Sequence, residues 1–491
     1  MLNRYGLVLW GVLLTADLLG LSLVASAHGL EVQEPVSFMK QIAPILKENC
    51  FACHNAQQFK GKLDMTTFAS LTKGGERGEA IVPQKPEQSL LYTLITGKDD
   101  PHMPPKDVSK PLPEASVQLI ERWIREGARF DGNSQEESIL AALRRTWQPP
   151  VPPTHYARPL PITSLLLTAD ARYLLVGGYH EILLFDLGKE KPQPKTAAQL
   201  VGRVRIRPER VHALLWLNDG KTLALAGGRA GQEGNVQLLH FDVSQWISSP
   251  VTIKDGTQPL GGIFDRELLQ TNDVMLTLAH EPKGSWLAAG GSDRIVHLWK
   301  LPEAKPEAVD MAHADWIYGL AFTQDGKLMI STSRDKTCKS WNLEQKSLVY
   351  TFRDHQATVY SCWPKPDNKT IISVGEDSPL RLWTLDGSNK QTRILPGHGK
   401  AVYQIVAIPN SSFLATCSGD QTVRIWNHDN GRGMRNLTGL NAPIYAMTVA
   451  PDGSWIAAGS SQGEVALWKV QDRTATPMVQ FKAYPSPQTS P

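Results

Sequence analysis

Cysteine is scarce. Five residues in a chain of 491 are too few to staple a disulfide scaffold. An excess of one charge is also missing: Lys and Arg total 51, Asp and Glu total 48, and the formal net charge is +3. No large cationic field is available, which argues against a nucleic-acid partner. Past the N-terminus, no apolar run approaches the roughly 18 residues of a spanning helix. Charged residues are 20% and hydrophobic residues 41%, enough apolar material for packed cores, so disorder is excluded as the main state. Turn formers are plentiful, with 39 Gly and 34 Pro. Trp, at 14, outnumbers Phe, at 12, which needs a structural cause. At about 150 residues per domain the length suggests three domains, or two if one is a large all-β unit.

The N-terminus reads as an address. Arg4 stands in a short basic start, an apolar stretch runs from Gly6 to Val24, and Ala25-Ser26-Ala27 precedes His28. This is the pattern of a secretory signal peptide over residues 1–27. The competing reading is an uncleaved anchor, weakened by Asp17 inside the stretch. Either way the rest of the chain is expected outside the cytoplasm, periplasmic or otherwise exported, with peripheral membrane association if the anchor is kept.

Cys50-Phe51-Ala52-Cys53-His54 is a CxxCH motif, the signature of covalent c-type haem attachment. Two thiols at this spacing add to the two vinyl groups on one haem edge, and the adjacent His54 reaches the iron from the same loop. A zinc site would need a second ligand pair nearby, and the other cysteines are distant, at 338, 362 and 417. An apolar helical stripe (Phe38, Ile42, Ile45, Leu46) leads into the loop, with Pro44 expected to bend it. A second stripe (Val117, Leu119, Ile120, Trp123, Ile124) predicts a helix over 114–127, stopped by Gly127. The sixth iron ligand is expected from the segment between them. Met103, in Pro101-His102-Met103-Pro104-Pro105, lies 49 residues after His54, and a His/Met pair favours reversible electron transfer. His102 and Met65 are its rivals. One covalent haem c is therefore the expected cofactor.

Ile42-Ala43-Pro44-Ile45-Leu46, Lys60-Gly61-Lys62-Leu63, Gly74-Gly75-Glu76, Ile81-Val82-Pro83, Pro86-Glu87-Gln88-Ser89-Leu90 and Met103-Pro104-Pro105 together resemble the planctomycete-type cytochrome c domain. The resemblance covers residues 36–130. It implies a small all-α, class I-like cytochrome c with His54 and Met103 as axial ligands. Residues 131–159 follow as a linker ending in the proline-rich Gln148–Pro153 stretch, a stiff polyproline spacer that a short helix over 138–143 precedes.

The remainder repeats. Aromatic residues close successive strands at Phe185, Phe241, Trp299, Trp341, Trp383, Trp426 and Trp468, the last five 42, 42, 43 and 42 residues apart. A period near 42 with turn signals between β-patterned runs is that of a propeller blade. His313, Asp335 and Trp341 recur as His355, Asp377, Trp383 and as His398, Asp420, Trp426. These residues resemble the WD-repeat family, in which such positions form a buried network with a Ser or Thr. Asp293 and Trp299 keep half of the pattern, while Tyr179, Asn235 and Gln462 stand at the Asp position elsewhere. The expectation is an all-β, seven-bladed WD-type propeller over 160–484, with eight blades if residues 243–273 hide a degenerate one. It closes either with its own strand near 477–483 or with one borrowed from 150–160. Cys338, Cys362 and Cys417 are expected to be buried thiols.

The expected function is an exported electron-transfer cytochrome docked to a redox partner or assembly by its propeller, without a catalytic residue. Two alternatives stand beside it. One is a haem enzyme resembling the cytochrome cd-type nitrite reductases, whose propeller holds a second haem. The other is a haem-based sensor or scaffold.

Overall fold

A computed structural model describes residues 34–55, 59–105, 107–146, 149–188, 198–247, 264–385, 390–472 and 474–484. The apolar leader expected at residues 1–27 lies outside them.

Short helices come first. A π-turn (Phe38–Ile42) runs into α1 (Ala43–Asn49). Pro44 sits in the first turn of α1, where a missing N–H leaves no bond unmade, and the Ala43 N–H reaches back to the Phe38 carbonyl. Helix α2 (Phe68–Lys73) starts on a Thr67/Ser70 capping box, and α3 (Leu90–Ile95) follows. Helix α4 (Glu114–Arg125) turns Val117, Ile120, Trp123 and Ile124 inward and ends beside Gly127, whose φ of 100° suits a residue without Cβ. The buried faces meet around Phe38, Phe68 and Trp123, with Phe38 4.9 Å from Phe68 and 5.3 Å from Trp123 between ring centroids. Helix α5 (Ile139–Thr146) adds Ile139 and Leu140 to this core. The Ile139 N–H donates to the Thr66 carbonyl at 2.8 Å. The expected linker thus begins by packing on the helices, because its short apolar stripe has a face to bury.

Antiparallel sheets make up the rest. Seven strands form one sheet in chain order: β1 (Leu165–Leu167), β2 (Tyr173–Gly177), β3 (Tyr179–Asp186), β4 (Gln199–Trp216), β5 (Thr222–Arg229), β6 (Glu233–His240) and β7 (Phe264–Thr271). Five four-stranded sheets follow, starting at β8 (Met275–His280), β12 (Ile317–Phe322), β16 (Val359–Pro364), β20 (Val402–Ala407) and β24 (Ile444–Val449) and running on to β27 (Val479–Lys482). The first strands of the four-stranded sheets lie side by side from β8 to β24, and the seven-stranded sheet joins both ends, with β4 against β8 and β1 against β24, so the ring closes.

This corrects the expected count of seven blades: among the described residues five four-stranded blades are present. The stretch expected to form two more is one continuous sheet, because β4 is 18 residues long and pairs with β3 through its first part and β5 through its last. Pro208 falls between Arg205, paired with Glu181, and Val211, paired with Gly227, where its missing N–H interrupts no regular ladder. The last blade uses its own C-terminal strand, since β27 pairs with β26 (Glu464–Lys469). At the seam the Ile162 N–H donates to the Ser460 carbonyl at 3.1 Å, and a Cβ on Gly459 would lie 2.4 Å from Ile162 Cγ2, so glycine there admits the segment that leads into β1. The abundance of Trp has its cause here. Trp299, Trp341, Trp383, Trp426 and Trp468 are all buried, each filling the space between its own blade and a neighbour.

Candidate functional site

The CxxCH loop hangs from the end of α1 as one tight turn. The Cys50 N–H donates to the Leu46 carbonyl at 2.8 Å, and the N–H groups of Cys53 and His54 donate to the Cys50 carbonyl at 3.1 and 3.0 Å. Cys50 and Cys53 are free thiols, and burial pushes the Cys50 thiol up to about 12. His54 Nδ1 lies 3.0 Å from the Lys60 carbonyl oxygen. A carbonyl only accepts, so Nδ1 carries the ring proton and Nε2 presents its lone pair. This is the second contact that orients a metal-bound imidazole. Burial pushes the His54 pKa down, against the backbone bonds, which keeps the ring neutral near neutral pH. Two free thiols and one Nε2-ready imidazole within five residues fit a c-type haem.

The rival sixth ligands sit differently. Met65 is buried in the helical core. His102 Nδ1 lies 3.2 Å from the Pro104 carbonyl, and its ring rests on Gly97. Met103 is half-buried against the core, and its N–H donates to the Leu94 carbonyl at 3.0 Å. Among the described residues, no group of three or more His, Cys, Asp or Glu side chains is placed to hold a bare metal ion.

The recurring His-Asp-Trp residues form the expected buried networks. His313 Nδ1 donates to Asp335 at 2.8 Å, Ser331 Oγ donates to His313 Nε2 at 2.7 Å, and Trp341 Nε1 donates to Ser331 Oγ at 2.8 Å. His398, Asp420, Thr416 and Trp426 repeat this at 2.9, 2.8 and 2.8 Å. The middle copy is rewired. His355 bonds Asp377 and Ser373 at 3.0 and 2.8 Å, but Trp383 Nε1 is buried without a partner, its ring stacked on Phe352 at 5.0 Å. Thr337 and Thr422 hold the outer two aspartates. The middle blade has Pro379 there, and Arg381 clamps Asp377 instead. Asp293, lacking a partner from the previous turn, pairs with His297 at 2.6 Å.

A clamp that sequence inspection misses ties the linker to the seven-stranded sheet. Glu181 accepts from Tyr156 at 2.5 Å and from Arg203 at 2.7 and 3.0 Å, and Arg203 also donates to the Pro153 carbonyl at 2.9 Å. Half of the signal was present: Glu181 opens the apolar run Ile182–Phe185, whereas Arg203 is one of four arginines between 203 and 210 and does not stand out.

Comparison with known proteins follows this division. The planctomycete cytochrome C model matches residues 50–107. The WD domain, G-beta repeat model matches 268–300, 305–342, 346–384, 389–427 and 432–469. The small ribosomal subunit protein RACK1 of Drosophila melanogaster is 38% identical over 214 residues, 42% of this chain and 67% of the fly protein. The chain belongs to the WD-repeat family. It joins WD repeats to a planctomycete-type cytochrome c domain. The apoptotic protease-activating factor 1 of Rattus norvegicus is 25% identical over 199 residues, 39% of this chain but only 15% of the rat protein. Each of the five matched WD repeats takes in the last strand of the preceding sheet and ends with the third strand of a four-stranded blade, so repeat and blade are offset by one strand.

Proposed function

We propose that this WD-repeat protein is an exported c-type cytochrome that passes electrons through one covalently bound haem, while its propeller docks the redox partner or assembly. Cys50 and Cys53 would hold the haem through thioether bonds, and His54 and Met103 would be its axial ligands. The haem would supply one-electron exchange. The observation that carries this reading is the His54–Lys60 hydrogen bond, which leaves Nε2 as the only basic ring nitrogen beside two free thiols. This chain's own part is to fix that tautomer, shield the loop with the Phe51 side of the helical core and hold Met103 on the Leu94 carbonyl. The propeller's part follows from its architecture, a closed ring of blades presenting loops at both ends, in which the Ser331, Ser373 and Thr416 hydroxyls that bond the tetrad histidines are fully buried.

The test is spectroscopic. In protein produced with a cytochrome c maturation system, Met103→Ala should change the oxidised spectrum and make the ferrous iron bind carbon monoxide rapidly, whereas the native protein should resist it. An unchanged spectrum in Met103→Ala overturns the ligand assignment.

A further inference from the structure

The two proposed axial ligands stand on separate loops. His54 ends the CxxCH turn, and its ring is held by the Lys60 carbonyl. Met103 lies in the segment 96–103 that follows α3. A third stretch, the tight turn over residues 74–78, touches both loops.

This turn is closed on itself. The Gly75 N–H donates to the Gly78 carbonyl at 3.0 Å, and the Gly78 N–H returns to the Gly75 carbonyl at 3.2 Å. One side of it rests on the His54 loop through backbone alone. The Glu76 N–H donates to the Gly61 carbonyl at 2.9 Å. A Cβ on Gly75 would lie 2.5 Å from that same oxygen, so the approach needs glycine. The turn is thereby seated beside Lys60, whose carbonyl orients His54.

The other side reaches the Met103 loop through one side chain. Arg77 Nη1 donates to the Asp100 carbonyl at 2.6 Å, and Nη2 donates to Asp99 Oδ2 at 2.8 Å. Asp99 Oδ1 accepts the Asp100 N–H at 2.8 Å. One carboxylate thus joins the arginine to the loop backbone. Other anchors of this loop are local to α3. The Thr93 carbonyl accepts from the N–H groups of Lys98 and Asp99 at 2.9 and 3.2 Å, and the Leu94 carbonyl accepts from Met103 at 3.0 Å. Arg77 instead refers the Met103 loop to the loop that carries His54. Its side chain and that of Asp99 are 43% and 40% exposed, so the pair adds little to global stability. What it constrains is the loop on which both of its bonds end.

We infer that Arg77 is a positioning residue for the sixth ligand: it ties the segment 99–103 to the turn seated on the His54 side and so limits the departure of Met103 from the iron. This rests on the ligand assignment proposed above.

Carbon monoxide binding to the ferrous, haem-loaded full chain tests it, because the gas must wait for Met103 to leave. Arg77→Gln should raise the binding rate about threefold or more and leave the thermal midpoint unchanged. Added to Met103→Ala, it should change the rate no further, since the ligand it restrains is gone. If Arg77→Gln lowers the midpoint, Asp99→Asn, which removes only the charged partner, should still raise the rate. A native rate in both variants overturns the inference, and so does an equal rise in the Met103→Ala background. An unchanged spectrum in Met103→Ala overturns the ligand assignment instead, which separates the two failures.

Discussion

Two serines at the same place in adjacent blades should differ in cost when truncated. Ser331 is fully buried. Its hydroxyl donates to His313 Nε2 and accepts from Trp341 Nε1, at 2.7 and 2.8 Å. Ser331→Ala strands both ring nitrogens, and each buried orphan costs about 1–3 kcal/mol, so the loss should be about 2–6 kcal/mol. Ser373 is equally buried and bonds His355 Nε2 at 2.8 Å, but Trp383 Nε1 has no partner to lose. Ser373→Ala should therefore cost only about 1–3 kcal/mol. Urea unfolding followed by far-ultraviolet circular dichroism gives both values at unchanged slope. Equal losses, or a larger loss for Ser373→Ala, would refute the claim that the middle network lacks its tryptophan bond.

Acid should weaken the middle blade through Asp377. Burial alone would raise its carboxyl, but His355 and Arg381 outweigh that and hold it at about 2, below the ordinary 3.8. A carboxyl lowered by folding contributes stability above pH 3.8 that fades as the pH falls toward 2, a loss of about 1–2 kcal/mol. Asp377→Asn should flatten the stability–pH curve across that window, and an unaltered slope would show that the pair does not titrate as described. Glu181 and Arg203 are 0% and 1% exposed, so Arg203→Met should cost about 3–5 kcal/mol by stranding a buried carboxylate. Adding Glu181→Leu should restore much of it. A double variant no more stable than the single, by thermal unfolding, would count against the clamp.

The features legible from sequence are those that repeat or that covalent chemistry fixes. The His-Asp-Trp intervals located the tetrads because three blades reuse one His–Asp and His–Ser/Thr hydrogen-bond geometry. The CxxCH spacing located the loop because one haem edge dictates it. The Lys60 carbonyl that orients His54 was invisible, since a backbone oxygen has no side-chain signature. The blade count failed because Phe185 and Phe241 mark strands, not the boundaries of sheets, and nothing in Gln199–Trp216 breaks β4 where a blade boundary was expected. In the middle blade, Pro379 in place of threonine announces a changed network, but the orphaned Trp383 depends on its stacking with Phe352, a long-range packing outcome.

The most direct test of the redox reading is the intact mass and pyridine haemochrome spectrum of the mature protein after denaturation. The account predicts one haem per chain, bonded through Cys50 and Cys53, with colour that stays with the polypeptide on a denaturing gel. A colourless denatured chain with the mass of the bare polypeptide would contradict it, and two haems per chain would point instead to the enzyme alternative.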